Sequence, residues 1–254
     1  MNERNSARTV KSDRTLFEFI EALLELEGAT VTELARELDA AKSTIHQHLA
    51  TLVELGYAVN DGGEYDIGLR FLKIGEYARA RNEAAALAKP MVEQLAKETN
   101  ERVQFFVEEH GQVIYLHTAA GERAVTANRQ TGEVRYLHSS AGGKAILSQF
   151  DRGRVQSIID RYGLPTETDQ TITDENELFE ELERIRQQGY SINKEESLEG
   201  LWAIGVPVVV DDCVVGAFSV SGPRFRLEKE WFHQELPDLL LATANELEIK
   251  LQYG

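Results

Sequence analysis

The sequence predicts an α+β protein of two domains joined by a helix. Its 254 residues suffice for two domains of ordinary size, and a hydrophobic content of 42% suffices for a core in each. Over the first 70 residues, the apolar pattern predicts three helices and then a pair of strands. The remainder alternates strand and helix patterns, which predicts a separate α/β domain.

Three helices are predicted in the N-terminal domain from apolar residues at helical spacing. The first ends at Gly28, and the second begins at a capping box formed by Thr30 and Glu33. The third ends at Gly56 after an apolar face of its own. The residues predicted to be buried are Leu16, Ile20, Leu23 and Leu24, then Val31, Leu34, Ala35 and Leu38, then Ile45, Leu49, Leu52 and Val53.

A β-hairpin is predicted directly after the third helix. Residues 57–59 and 64–67 have strand character and flank the turn sequence Asn60-Asp61-Gly62-Gly63. The order helix, helix, turn, helix, hairpin is that of a winged helix-turn-helix domain. Small helical domains with a hairpin also serve as protein-interaction modules, so the order alone leaves both uses open.

The rest of the chain is predicted to form a linker helix followed by the α/β domain. The linker helix covers residues 71–88, and Pro90 suits the first turn of the helix that follows. Pro237 is expected to bend or interrupt the last helix. The remaining predicted strands are 102–109, 112–119, 202–210 and 213–221, and the remaining helices are 141–150, 154–162, 174–188 and 228–251.

The composition is strongly acidic. The chain has 32 Glu and 11 Asp against 18 Arg and 9 Lys, which gives a net charge of −16. This charge argues against non-specific binding to nucleic acid or to anionic membranes. Abundant carboxylates with few lysines suit concentrated salt, so we infer a halophilic source, with an ordinary acidic protein as the alternative.

Several classes of protein are excluded by simple patterns. No apolar run approaches the ~18 residues of a membrane-spanning helix. The N-terminus is polar and lacks the apolar core of a signal peptide, so we expect a cytoplasmic protein with no membrane partner. Cys213 is the single cysteine, which excludes an intrachain disulfide and a cysteine-rich zinc site.

The outward face of the third helix is the candidate DNA-contacting surface. Residues 42–53 include one Lys, two His and no carboxylate. Short polar side chains let a helix enter the major groove, where Gln47 can pair with adenine and Lys42 can bind a phosphate. His48 lies towards the buried side and is expected to pack; an amphipathic surface helix is the alternative for the whole segment. The candidate DNA contacts are Lys42, Ser43, Thr44, His46, Gln47 and Thr51, with Gly62 and Gly63 in the hairpin turn.

Motifs in both halves resemble the IclR family of transcription regulators. The resemblance runs from about residue 10 to 252, and the motifs follow in the family's order. It implies a winged helix-turn-helix domain that binds an operator in double-stranded DNA, and a GAF-like α/β domain with an antiparallel sheet. The motifs are Lys42-Ser43-Thr44-Ile45-His46, Leu55-Gly56-Tyr57, Tyr65-Asp66-Ile67-Gly68-Leu69-Arg70, residues 137–145, residues 172–174 and Val220-Ser221-Gly222-Pro223.

The predicted division of the chain follows from these patterns. Residues 1–14 form a flexible basic arm, 15–70 the winged helix-turn-helix domain, 71–88 the linker helix and 89–254 the GAF-like domain. By resemblance, this last domain binds a small-molecule effector and forms a homodimer or a dimer of dimers.

The resemblance also implies where the effector binds. In the family, backbone amides before a Gly-Lys step bind a carboxylate, which here matches Ser140, Ala141 and Gly142. A helix N-terminus suits an anion on independent physical grounds. Two serines of a late strand match Ser219 and Ser221, which alternate with Val220 and so share a face. Alternatively, these serines only satisfy backbone groups in a buried strand.

The sequence departs from the family pattern at three candidate positions. The family often has Asp where this chain has Asn193 and Cys where it has Ala203, so the 2-oxo acid effectors of some members cannot be transferred. The family commonly has Arg where Gln47 stands, which exchanges a phosphate-binding cation for a neutral group. Glu195 and Glu196 match the family, and we expect them on the surface.

No enzyme, cofactor or metal site is predicted. Residues 142–145 lack the first glycine and the Ser or Thr of a phosphate-binding loop, and the six histidines have no metal-ligand spacing. We therefore predict a sequence-specific regulator whose operator binding responds to an organic or sugar acid. The alternative is a metabolite-binding oligomer whose winged helix contacts protein, which a net charge of −5 over residues 1–80 favours slightly.

Overall fold

The computed structural model describes residues 10–124, 131–228 and 230–254, and it divides the chain into two compact units at Ala78/Arg79. Residues 1–9 of the predicted basic arm lie outside the described residues. The arm was predicted to extend to residue 14, but the first helix begins at Lys11. Asp13 lies in its first turn, where a carboxylate interacts favourably with the helix dipole.

The first unit is a helical domain with a small antiparallel sheet. Its strands β1 (Ala29–Thr30), β2 (Ala58–Asp61) and β3 (Glu64–Ile67) lie in the order β1-β3-β2, and Ala29 pairs with Tyr65. Strand β1 was not predicted, because two residues are too few to show an alternating pattern. In chain order the elements are α1 (Lys11–Glu25), β1 (Ala29–Thr30), α2 (Val31–Glu37), α3 (Lys42–Glu54), β2 (Ala58–Asp61), β3 (Glu64–Ile67) and α4 (Arg70–Ala80).

Local sequence signals explain most of this unit. The capping box forms: the hydroxyl of Thr30 accepts a hydrogen bond from the Glu33 amide at 3.3 Å, and the Glu33 carboxylate accepts one from the Thr30 amide at 2.8 Å. The predictions for Leu24 and Val53 were wrong, since these residues are 69% and 37% exposed. Phe19 and Leu23 define the buried side of α1, and Leu24 lies outside that stripe.

The structure has two helices in the region where the sequence predicts a single linker helix over residues 71–88. Helix α4 ends at Ala80, and α5 (Glu83–Thr99) begins after Asn82. The side-chain oxygen of Asn82 accepts a hydrogen bond from the Ala85 amide at 2.9 Å, which caps the new helix. Pro90 therefore lies in the interior of α5 and not in its first turn.

The second unit contains a six-stranded antiparallel sheet in the order β6-β5-β4-β9-β8-β7. The edge strands β6 and β7 were not predicted, and Pro237 lies inside a last helix that continues past it. Beyond α5 the elements are β4 (Arg102–Glu109), β5 (Gln112–Ala120), β6 (Val134–Tyr136), α6 (Ala141–Ser148), α7 (Arg152–Tyr162), α8 (Glu175–Gln188), β7 (Ser191–Lys194), β8 (Leu201–Val210), β9 (Cys213–Pro223), α9 (Arg224–Leu227) and α10 (Glu230–Tyr253).

Helices cover both faces of this sheet. Phe105 and Phe218 belong to one apolar cluster with α5 and α10, whereas Phe106 and Ala217 belong to another with α6, α7 and α8. Since side chains alternate along a strand, Ser219 faces the same side as Ala217, towards α6.

Among the described helices, none is both long enough and apolar enough to cross a membrane.

Candidate DNA-contacting helix and effector site

Three buried apolar residues fix which face of α3 is exposed. Ile45, Leu49 and Leu52 lie in the core of the first unit or against it. The opposite face is therefore directed to solvent along the whole helix. The candidate residues Lys42, Ser43, His46, Gln47 and Thr51 are exposed, and Thr44 is half-buried.

Two of these side chains already bind within the protein. Lys42 Nζ donates to the hydroxyl of Thr32 at 3.0 Å, which ties the start of α3 to α2. Thr51 donates its hydroxyl hydrogen to the carbonyl of Gln47 at 3.0 Å, so only its oxygen lone pairs are available to a ligand. His48 contacts the ring of Phe19 edge-on at 4.8 Å, which confirms the packed position predicted for it.

The hairpin turn is exposed but acidic. Gly62 and Gly63 lie at its tip, and the Gly63 amide donates to the side chain of Asn60 at 2.9 Å. Asp61 and Glu64 are exposed on either side of the glycines. Because carboxylates repel phosphate, the backbone of the turn and not its flanking side chains is the part suited to a DNA contact.

The first turn of α6 is the candidate carboxylate site. Ser140 caps this helix by accepting a hydrogen bond from the Gly143 amide at 3.1 Å. The amides of Ala141 and Gly142 come first in the helix and have no intrahelical acceptor. A Cβ atom at Gly205 would lie 2.6 Å from the Gly142 nitrogen, so β8 passes directly beneath these amides.

The two candidate serines lie buried on the same sheet face. Ser219 is in register with Gly205, and Ser221 is in register with Ala203. Ala203 pairs on its other side with Asn193 of β7. The structure therefore brings these effector candidates to the part of the sheet that α6 covers, although they come from three strands.

The side chain of Asn193 is bonded at both ends by the protein. Its Nδ2 donates to the Ser139 carbonyl at 2.6 Å, and its Oδ1 accepts from the Glu196 amide at 3.1 Å. A carboxylate at this position could not donate to Ser139. The presence of Asn in place of Asp therefore fixes the segment that leads into α6 as well as changing the charge of the site.

Lys144 is the centre of a buried ion cluster that the sequence analysis did not predict. It is 1% exposed, and its Nζ donates to Glu196 at 2.7 Å, to Glu181 at 3.0 Å and to the Ile192 carbonyl at 2.8 Å. The prediction that Glu196 lies on the surface was wrong. Burial raises the pKa of the Glu196 carboxyl, an effect that Lys144 opposes. This cluster joins α6, α8 and β7.

His138 is buried just before α6. Its Nε2 lies 3.1 Å from the Pro165 carbonyl, and burial lowers the pKa of the imidazole. A neutral ring donates from one nitrogen only, so Nε2 carries the hydrogen in this arrangement.

Within the described part of the chain, no group of three His, Cys, Asp or Glu side chains could hold a metal ion.

Comparison with known families gives matches to both units. The IclR helix-turn-helix domain matches residues 16–62, and the bacterial transcriptional regulator IclR C-terminal domain matches residues 77–249. The probable HTH-type transcriptional regulator ArcR of Halobacterium salinarum is 36% identical over 251 residues, which is 96% of this chain and 95% of that protein. KdgR of Escherichia coli, an HTH-type transcriptional regulator, is 28% identical over 248 residues, 96% of this chain and 94% of that protein.

Solved structures show the same fold. The crystal structure of Thermotoga maritima IclR has a TM-score of 0.79 at 25% identity and covers 96% of this chain and 99% of its own. An IclR homolog from Microbacterium hydrocarbonoxydans, crystallised with 4-hydroxybenzoate, has a TM-score of 0.78 at 21% identity. It covers 94% of this chain and 100% of its own.

Proposed function

The chain belongs to the IclR family of DNA-binding transcriptional regulators, and we propose that the exposed face of α3 contacts the bases of its operator. Its relatives and matched families are transcriptional regulators and not enzymes. The observation that carries the proposal is the burial of Ile45, Leu49 and Leu52, which leaves a helix face free of carboxylates from Lys42 to Val53.

Each candidate on this face has a physical role in the proposal. Gln47 donates to and accepts from adenine in the major groove, the pairing that a side-chain amide makes best. Ser43 and Thr44 lie in the first turn, where hydroxyls and amides bind phosphate. His46 and Thr51 flank Gln47 along the exposed face. Lys42 binds a phosphate, and the backbone of Gly62 and Gly63 contacts the neighbouring groove.

We further propose that an organic or sugar acid binds the second unit with its carboxylate on the amides of Ala141 and Gly142, beside Ser140. Ser219 and Ser221 donate to the same carboxylate or to an adjacent hydroxyl. Ala203 lies beside Ser221 and Asn193 lies beyond Ala203, so these two residues form one wall of the site. The buried polar sheet face and the amide pair support this placement. The complex of the Microbacterium homolog with 4-hydroxybenzoate supports an organic acid as the class of ligand.

A homodimer or a dimer of dimers would place two copies of α3 on successive major-groove faces of a near-palindromic operator. The effector shifts operator binding only by its different affinity for the DNA-binding and non-binding states.

Because DNA is its ligand, we place the chain in the cytoplasm, and its acid-rich composition supports a salt-rich source. The −5 charge over residues 1–80 favours a second candidate, in which the winged helix contacts a protein.

Ser221→Ala is expected to weaken the effector response about tenfold and to leave DNA affinity within about twofold, because one hydrogen bond to the acid is lost. Fluorescence anisotropy with the DNA upstream of its own gene measures both quantities, with gluconate, 4-hydroxybenzoate and pyruvate as effectors. Ser157→Ala, at an exposed serine of α7, is the matched control. Equal responses of the two variants would contradict the placement of the acid, and DNA binding unaffected by any acid would contradict the effector class.

A further inference from the structure

A row of polar side chains crosses the sheet face that α6 covers. Gln104 of β4 is in register with Thr118 of β5 on one side and with Ser219 of β9 on the other. Its neighbours Val103 and Phe105 belong to the cluster with α5 and α10, so Gln104 faces the opposite side. The effector face therefore continues past the two serines onto β4 and β5.

Two atoms of this row have no partner within the described residues. Gln104 is 3% exposed, yet its Nε2 makes no hydrogen bond there. The Oγ1 of Thr118 is likewise buried and makes none. Buried polar atoms are rarely left unbonded, because water has been lost and nothing has replaced it. A donor and a hydroxyl thus lie side by side on adjacent strands of the face assigned to the effector.

We propose that Gln104 and Thr118 bind a hydroxyl group at the far end of the effector, which makes the effector a hydroxylated acid and not a short 2-oxo acid. This inference rests on the proposed carboxylate site at α6. A hydroxyl can accept a hydrogen bond from Gln104 Nε2 and donate its own hydrogen to Thr118 Oγ1. A methyl or methylene group in the same place would leave both atoms unbonded.

The register also sets the length of the effector. Gly205 lies beneath the amides of α6, and three strand spacings, roughly 14 Å, separate it from Thr118. A hydrogen bond of about 3 Å at each end leaves roughly 8 Å between the terminal polar atoms of the ligand. A three-carbon acid is too short for both contacts, whereas a six-carbon chain or an aromatic ring with a distal hydroxyl can make them.

The test compares pairs of acids that differ in their hydroxyl groups. Calorimetry on the full chain measures the Kd of 4-hydroxybenzoate against benzoate and of gluconate against hexanoate, with pyruvate as the short acid. In the unmodified protein, the hydroxylated member of a pair is expected to bind at least about tenfold more tightly. If the acids of only one pair bind the protein, the preference for the hydroxylated acid is judged from that pair.

Variants then test whether Gln104 and Thr118 cause the preference for the hydroxylated acid. Gln104→Leu and Thr118→Val are expected to reduce the preference within a pair to below about threefold, with the affinity for the unhydroxylated acid unchanged. Thr118→Ser keeps the hydroxyl and is expected to keep the preference, which separates recognition from a packing defect. Ser221→Ala is expected to weaken 4-hydroxybenzoate and benzoate equally, because it acts at the carboxylate end, which these two acids share.

The possible outcomes distinguish a failure of the hydroxyl site from a failure of the carboxylate site on which it rests. Three results would overturn the hydroxyl site while the carboxylate site stands. They are equal affinity for both members of each pair, pyruvate binding as tightly as the hydroxylated acids, and an unchanged preference for the hydroxylated acid in Gln104→Leu. Failure of every acid, pyruvate included, to bind the unmodified protein would overturn the acid-effector proposal and this inference with it.

Discussion

Lys144→Met is expected to lower the free energy of unfolding by about 3–5 kcal/mol, since it removes the cation from a buried cluster and leaves the carboxylate of Glu196 unpaired. Glu181 loses the same partner, and the Ile192 carbonyl loses its hydrogen bond. Methionine keeps the length and most of the volume of lysine, so the loss reports charge and hydrogen bonding more than packing. Urea denaturation followed by circular dichroism measures the difference.

Two further variants make this result specific. Lys250→Met removes an exposed ion pair with Glu246 and is expected to change stability by less than about 1 kcal/mol. The double variant Lys144→Met with Glu196→Gln is expected to recover part of the loss, because the glutamine is uncharged. If Lys144→Met were as stable as Lys250→Met, the cluster would not hold α6 against α8 and β7.

Gln47→Glu is expected to weaken operator binding about 50-fold or more. The substitution removes the amide donor that pairs with adenine and directs a carboxylate towards base acceptors and phosphates. Gln47→Ala loses the contact without adding charge, so we expect a smaller loss of affinity and a relaxed preference at one position in each half-site. Anisotropy titrations with the operator and with single-base variants of it measure both effects.

Gln252→Glu is the control for this prediction. It makes the same chemical change at an exposed residue in the last turn of α10, and we expect DNA affinity to stay within about twofold. If Gln47→Glu bound the operator as tightly as Gln252→Glu, α3 would not be the helix that contacts the bases.

The sequence predicts features that depend on near neighbours. The capping box of Thr30 and Glu33 and the buried stripe of α3 arise within a few residues, so their patterns are visible in the chain. The break between α4 and α5 was also encoded locally, in Asn82 as a helix cap, but the surrounding alanines and arginines obscured it. The short edge strands carry too few residues for any pattern.

Features that depend on tertiary contacts could not be predicted. The carboxylates that bind Lys144 lie 37 and 52 residues away along the chain, and only the packing of α8 and β7 on α6 brings them there. Gln104 becomes a candidate site residue only through its register with Ser219 and Thr118. Family resemblance indicated the serines of this face, whereas no motif indicated the glutamine.

Methylation interference with the full chain on the DNA upstream of its own gene tests the central claim most directly. Dimethyl sulfate modifies guanine N7 in the major groove and adenine N3 in the minor groove. We predict interference at guanine N7 in two segments whose centres lie about one helical turn apart. Selective binding with interference confined to adenine N3, or no preference for this DNA over random sequence at any salt concentration, would contradict a role for α3 in the major groove.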